Sequence, residues 1–305
     1  MGFVYILLAL LCGVTKGYCG KKTSGMIPDF HSAVRFNTVR MLFCIPIGLV
    51  FVLSATGGLS SLRTDGRTLL ISALGGLATA VFVVTWLLAV RTGAYMMVDV
   101  FPTMGVILPV ILCRIFFGES IRWNHVAGIL VLTAAAYVLC TYNSAIGKPR
   151  LTLPSLFVLI VCGASYGLSS FSQKWFRYES RAGSRADVSV YNFYVYLSAA
   201  VLLLLCLLFT EKWGKAGDGA ENGGAVKRKL LLYVSLMSLC IFLHSVFSTY
   251  AAGYLPASGL YPLMQGGALL LSMGMSAVCF GEKITARCVL GIVLALGALI
   301  LTNCL

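Results

Sequence analysis

The chain has 305 residues, of which 59% are hydrophobic and only 11% are charged. A soluble domain of this length cannot bury so much apolar side chain, so the composition excludes a soluble protein and indicates a polytopic membrane protein. The net charge of +13 would suggest a nucleic-acid partner in a soluble protein. Here the Lys and Arg residues lie mostly in short connections between apolar runs, where they meet lipid headgroups. We therefore expect membrane lipid, and no nucleic acid, as a partner.

Apolar runs separated by polar breakers predict ten membrane-spanning helices, because about 20 apolar residues cross a bilayer as a helix. The predicted spans lie near 2–20, 36–56, 68–90, 94–117, 124–142, 154–174, 190–210, 229–251, 257–280 and 286–304. A polar connecting loop at 147–150 divides them into a first unit, 1–146, and a second unit, 151–305, with five helices each.

A short motif repeats between the two units. Phe117-Gly118-Glu119-Ser120-Ile121 returns as Phe280-Gly281-Glu282-Lys283-Ile284, 163 residues later, and the same offset holds without a gap from about 69 to 135. We interpret this as a duplication. A unit with an odd number of helices enters and leaves on opposite sides of the membrane, so the second copy starts from the other side. The predicted fold is therefore all-α, with ten transmembrane helices as two inverted five-helix repeats, the architecture of secondary transporters.

Two features of this pattern resemble a known family. The fourth and ninth helices contain prolines, and a Gly-Glu turn follows each of them, at Gly118-Glu119 and Gly281-Glu282. With the five-plus-five arrangement, these features resemble the drug/metabolite transporter superfamily of the EamA type over essentially the whole chain. The resemblance implies a transporter in the cytoplasmic (inner) membrane of a bacterium, and it does not reach a substrate.

Ionisable residues inside predicted spans are the first functional candidates, because they are costly in hydrocarbon. Lys16, Arg40, Asp99 and His244 are such residues. Asp99 is the one acid away from a helix end, which makes it a candidate proton-coupling group. A structural ion pair with Lys16 or Arg40 is an equally good interpretation.

Polar stripes on the fourth and ninth helices give a second set of candidates. Their members, which share a helix face, are Tyr95, Asp99 and Thr103 on the fourth helix and Ser258, Tyr261 and Gln265 on the ninth. Tyr166 occupies the repeat position of Lys16, with Gln173 two turns further on. The motifs Gly13-x-x-x-Gly17 and Gly163-x-x-x-Gly167 predict close helix packing rather than binding.

The turn residues Gly118, Glu119, Gly281 and Glu282 have a structural interpretation. Each glutamate ends a span and precedes the next helix, where a carboxylate accepts from free backbone donors. The matched amides Asn37 and Asn192 are predicted to bridge helices.

These patterns favour a secondary transporter that moves a small polar or amphipathic metabolite by alternating access, with protons as a candidate coupling ion. Lys16 and Arg40 favour a carboxylate or phosphate, and the tyrosines favour an amphipathic or aromatic body. The alternative is a membrane-integral enzyme acting on a lipid or isoprenoid.

No enzyme activity is expected, because the three histidines are far apart and the motifs HxxxH and DxxxD are absent. The eleven cysteines contain no CxxC pair, so we expect neither a metal nor a cofactor. Monomer and homodimer both remain open.

Overall fold

The computed structural model describes residues 1–27, 29–92, 102–143, 153–182, 186–213, 224–280 and 286–303. These residues form ten α-helices and no β-strand. The helices are α1 (Gly2–Ser24), α2 (Phe30–Thr56), α3 (Gly66–Thr92), α4 (Ile107–Phe117), α5 (Trp123–Asn143), α6 (Leu153–Ala182), α7 (Val188–Trp213), α8 (Gly224–Ala252), α9 (Ala257–Phe280) and α10 (Ala286–Asn303). The predicted number of helices is confirmed, although α2 begins six residues earlier and α6 ends eight residues later than the apolar runs, because a helix continues beyond the hydrocarbon.

Seven of the helices within the described residues, α1 to α3 and α6 to α9, are long and apolar enough to cross a membrane. The apolar parts of the other three are shorter, at Pro102–Phe117, Trp123–Val138 and Val289–Thr302. Large apolar side chains such as Leu205, Val293 and Ile300 are exposed on the outside of the bundle. These features are compatible with the predicted polytopic membrane protein.

Helix pairing follows a regular pattern. The main neighbours are α5 with α10, α2 with α7, α3 with α6, α1 with α8, α3 with α7 and α2 with α8. A duplication of five helices relates each helix to the one five positions away in the chain. Under this relation the pair α3–α6 corresponds to the pair α8–α1, and the pair α3–α7 corresponds to α8–α2. The pairs α5–α10 and α2–α7 each correspond to themselves, so all six pairs agree with the relation.

The start of α4 is broken, as its prolines predict. Residues 102–105 form one helical turn, Val106 adopts a turn, and the regular helix begins at Ile107. Pro109 has no N–H to donate to the carbonyl of Gly105, so the backbone bends at this place. The helix ends at Gly118, whose φ of 66° lies in the left-handed region that glycine adopts without strain.

Two buried asparagines bridge helices at matching places. The Nδ2 of Asn37 on α2 donates to the carbonyl of Val83 on α3 at 3.1 Å, and the Nδ2 of Asn192 on α7 donates to the hydroxyl of Thr249 on α8 at 3.4 Å. Each also donates to the carbonyl four residues before it on its own helix. The predicted bridging role is confirmed for both residues.

Three glycines let the turn before α4 touch α6. A Cβ added to Gly167 would lie 2.6 Å from the carbonyl oxygen of Gly105, and a Cβ added to Gly105 would meet the carbonyl of Gly163. Backbone therefore lies against backbone, as Gly163-x-x-x-Gly167 predicts.

We expect Gly167→Ala to destabilise the protein by about 1–3 kcal/mol, because the added methyl overpacks a contact between two backbones. Gly274→Ala is the control, since a Cβ at Gly274 meets nothing within 4 Å. In a helix interior that change is neutral or stabilising by about 0.5–1 kcal/mol. Thermal unfolding of both variants in detergent measures the difference. Equal stability of the two variants would contradict the close contact.

Candidate functional site

A polar cavity lies between helices of both units. It consists of two adjoining spaces of about 50 and 60 Å³. Both spaces share the wall residues Lys16 of α1, Phe82 of α3, Tyr166 of α6, His244 of α8 and Met264 of α9. We call these two spaces together the central site. It joins α1 and α3 of the first unit to α6, α8 and α9 of the second.

One end of the central site is cationic and aromatic. The Nζ of Lys16 lies 5.6 Å from the ring centroid of Phe82 and 5.9 Å from that of Trp86. At these distances an ammonium group is attracted to the face of each ring. The ring of Tyr166 packs against Phe82 with centroids 5.5 Å apart. Gln265 also lines this end.

The other end carries hydroxyl and amide groups. Its polar wall residues are Thr79, Ser169, Ser170, Gln173, Tyr196, Ser245, Ser248 and Tyr261. Several of these groups bind one another: Gln173 Nε2 donates to Ser245 Oγ at 3.2 Å, and Ser245 Oγ donates to Asn192 Oδ1 at 2.6 Å. The phenol of Tyr261 donates to the carbonyl of Ser170 at 2.6 Å. This network holds α6, α7, α8 and α9 together around the cavity.

Ser248 differs from its neighbours in this network. Its Oγ is buried and has no hydrogen-bond partner within the described part of the chain. A buried hydroxyl without a partner is costly. Ser248 therefore supplies a hydrogen-bonding group for whatever occupies the cavity.

His244 is fixed in orientation by the first unit. Its Nδ1 lies 2.8 Å from the carbonyl oxygen of Ala9. A carbonyl only accepts, so we assign the proton of the neutral ring to Nδ1 and leave Nε2 as the acceptor. Gly13 packs against the ring, since a Cβ there would lie 3.4 Å from Nδ1. The imidazole therefore joins α8 to α1 and offers one acceptor nitrogen.

The structure brings together six of the residues that the sequence singled out: Lys16, Tyr166, Gln173, His244, Tyr261 and Gln265. Ser258 is buried on α9 but does not line the cavity, and its Oγ has no partner among the described residues. Tyr95, Asp99, Gly281 and Glu282 lie outside the described residues.

Arg40 lies apart from the central site. It is only 1% exposed, and its Nη1 donates to Asn37 Oδ1 at 2.6 Å. Its guanidinium carbon lies 5.9 Å from the ring centroid of Phe36. The hydroxyl of Ser238 on α8 donates to the Arg40 carbonyl at 3.0 Å. The guanidinium thus contacts residues of its own helix, and the bond from Ser238 joins α8 to the backbone of α2. Arg40 does not line the cavity.

Sequence reasoning missed several wall residues, and one signal could have found two of them. Ser169 and Ser170 lie three and four residues after Tyr166, and Gln173 lies seven after it, which is the spacing of one helix face. Phe82 and Met264 carry no such signal, because an apolar residue in an apolar helix looks the same whether it faces a cavity, the core or lipid.

The turn residue Glu119 connects the two units. Its Oε2 accepts from the backbone N–H of Ala257, the first residue of α9, at 2.7 Å. Its Oε1 lies 2.9 Å from Nζ of Lys174 on α6. The same ammonium donates to the carbonyl of Ala252, the last residue of α8, at 3.1 Å and to that of Leu255, three residues later, at 2.6 Å. The carboxylate thus meets the positive end of one helix and the ammonium the negative end of another.

This geometry changes the expected partner of Glu119. The sequence suggests that the carboxylate serves the helix that directly follows it, which is α5. In the structure it accepts from α9 instead, because the turn after α4 packs against the start of α9. Chain order does not reveal which helix end lies opposite a turn.

Comparisons with known proteins give the fold and no more. No family model and no curated protein matches this chain. Among solved structures 28 chains match it. One of them, a crystal structure of a protein, aligns with a TM-score of 0.71 over 99% of this chain and 97% of its own, at 19% sequence identity. At that identity the similarity concerns the fold alone.

We expect Glu119→Gln to lower the stability by about 3 kcal/mol, since removing one partner of a largely buried pair leaves the other charge without compensation. Lys174 is 7% exposed and Glu119 21% exposed at the side chain. The exposed pair of Arg67 with Glu179, at 3.5 Å, provides the control. Glu179→Gln should change stability by less than about 1 kcal/mol, because Arg67 is 80% exposed. Unfolding in detergent distinguishes the two, and equal losses would contradict the role of the buried pair.

Proposed function

We propose that the protein is a secondary transporter that moves a small polar or amphipathic metabolite by alternating access. The observation that carries this proposal is the central site, whose walls come from α1 and α3 of one unit and from α6, α8 and α9 of the other. A site between two units that can rock against each other is reached from either side in turn.

The repeat architecture is part of the proposal. We infer two inverted repeats, 1–146 and 151–305, of the EamA type within the drug/metabolite transporter superfamily. Helix pairs that exchange under a five-helix shift support this inference, as do the matched bridges of Asn37 and Asn192. The bacterial cytoplasmic membrane is the proposed location.

The size of the central site supports movement of its walls. Pockets for small organic ligands usually have about 300–1,000 Å³. The two spaces, at about 50 and 60 Å³, hold only a few water molecules each. A metabolite enters only when the helices of the two units separate, and such a separation is the motion that alternating access requires.

The walls favour a substrate with a polar head and an apolar or aromatic body. The ammonium of Lys16 attracts a carboxylate or phosphate, and the rings of Phe82, Trp86 and Tyr166 pack against a planar or apolar group. Hydroxyl groups at the other end bind further polar atoms. Small organic acids and amino acids combine these features.

A thermal-shift screen of purified protein against amino acids, organic acids, nucleosides and cationic drugs tests the proposal. We expect a carboxylate or phosphate compound to raise the melting temperature of the wild type, and Lys16→Met to abolish the shift. Lys21→Met, on the same helix and 5.8 Å from the Phe280 ring centroid, should keep the full shift. If no compound acts, or if Lys16→Met responds like the wild type, the proposed site is wrong.

Proton coupling through Asp99 is the second part of the test. We expect Asp99→Asn to remove uptake driven by a pH gradient in proteoliposomes, because the amide cannot release a proton. Exchange of labelled for unlabelled substrate without a gradient should continue, and this exchange shows that the variant is folded. Gradient dependence that equals the wild type would exclude Asp99 as the coupling group.

A further inference from the structure

A second, larger space lies on the side of the bundle, away from the central site. Its volume is about 340 Å³. We call it the lateral groove, and its wall residues are Phe30, Val34, Leu77, Ala80, Val81, Val84, Thr85, Leu202, Leu203 and Cys206. They belong to α2, α3 and α7, and none of them lines the central site.

The lateral groove is an apolar space. Thr85 is the one hydroxyl in its wall, and Thr85 Oγ1 donates to the carbonyl of Val81 at 2.7 Å. The remaining walls are hydrocarbon apart from the thiol of Cys206. A water molecule needs two to four polar partners, and these walls do not offer them. The groove therefore suits a hydrocarbon chain.

The groove opens toward lipid rather than into the protein. Val34, Ala80, Val84 and Leu203 form a buried floor, whereas Phe30 and Leu77 at the rim are 49% and 50% exposed. In a membrane this opening faces acyl chains. A space of this size that stayed empty would forfeit dispersion contacts along its whole wall.

The groove runs from one end of the helices toward their middle. Phe30 is the first residue of α2, Thr85 lies two turns before the end of α3, and Cys206 lies two turns before the end of α7. Leu77 lies in the middle part of α3, two turns further from that end than Thr85. An acyl chain that entered beside Phe30 would follow this path from the headgroup region into the hydrocarbon.

An arginine stands at the headgroup end. Arg35, exposed on α2, lies one residue beyond Val34 of the wall. The Asp29 carboxylate, at the start of the same helix, accepts from the Ser32 N–H at 2.7 Å as the cap of α2. The exposed guanidinium of Arg35 therefore favours an anionic headgroup.

We propose that the lateral groove binds one acyl chain of an anionic phospholipid whose phosphate group contacts Arg35. The apolar walls hold the chain, and Arg35 selects the headgroup. This site is distinct from the central site, and its occupant stabilises the contact of α2, α3 and α7 instead of being transported.

Native mass spectrometry of the purified protein tests this site, after equilibration with equal amounts of palmitoyl-oleoyl phosphatidylglycerol and phosphatidylcholine. We expect one retained phospholipid with a preference for phosphatidylglycerol. Cys206→Phe fills the groove and should lose the retained lipid. Leu205→Phe is the matched control, because Leu205 is 47% exposed to lipid on the same helix and lies outside the groove. Val81→Phe fills the groove from α3 and replaces Cys206→Phe if that variant does not fold.

A separate variant tests the contact between Arg35 and the lipid headgroup. Arg35→Gln should reduce the preference for phosphatidylglycerol by about fivefold, the contribution of one cation near an anionic surface. Arg63→Gln, which changes an exposed arginine near the opposite end of α2, should leave the preference unchanged. Retention of lipid by Cys206→Phe and Val81→Phe at the wild-type level overturns the groove as the site. An unchanged preference in Arg35→Gln overturns the proposed headgroup contact.

Discussion

The constraint on which this structure depends is that hydrocarbon offers no partner to a polar group. Inside the bundle, several polar side chains therefore bind the backbone of other helices. The Tyr196 hydroxyl donates to the Ile241 carbonyl, His244 contacts the Ala9 carbonyl, and Ser238 donates to the Arg40 carbonyl. The first bond joins the consecutive helices α7 and α8, and the other two join α8 to α1 and to α2, which do not follow one another in the chain. Polar residues thus fix the arrangement of helices that apolar packing in lipid leaves weakly specified.

The turn at Glu119 extends this principle to the ends of helices. Glu119 holds the first residue of α9, and Lys174 holds the end of α8. The helices involved also carry the central site, because Gln173 precedes Lys174 on α6 and Tyr261 lies one turn into α9. A motif from the first unit therefore positions helices of the second. If the proposed alternating access is correct, opening this side of the cavity has to move the end of α4, the end of α8 and the start of α9.

Two sides of α3 face two different spaces, the polar central site and the apolar lateral groove. On α3, Thr79 and Phe82 face the central site, whereas Ala80, Val81 and Val84 face the groove. A bound chain in the groove would therefore support the wall of the central site from behind. The two proposals are independent in their tests, but they concern helices that move together in any rocking of the units.

The sequence by itself determined the membrane class, the number of helices and the bridging asparagines, because these depend on composition, on local apolar runs and on residue chemistry. It also singled out Lys16, Tyr166, His244, Tyr261 and Gln265, because ionisable and polar residues inside spans stand out against apolar neighbours. Only the tertiary structure decided that these five line one cavity while the Arg40 side chain binds Asn37 of its own helix, and that Glu119 serves α9 rather than α5. The physical reason is that helix neighbours are set by contacts between residues far apart in the chain, which local periodicity does not contain.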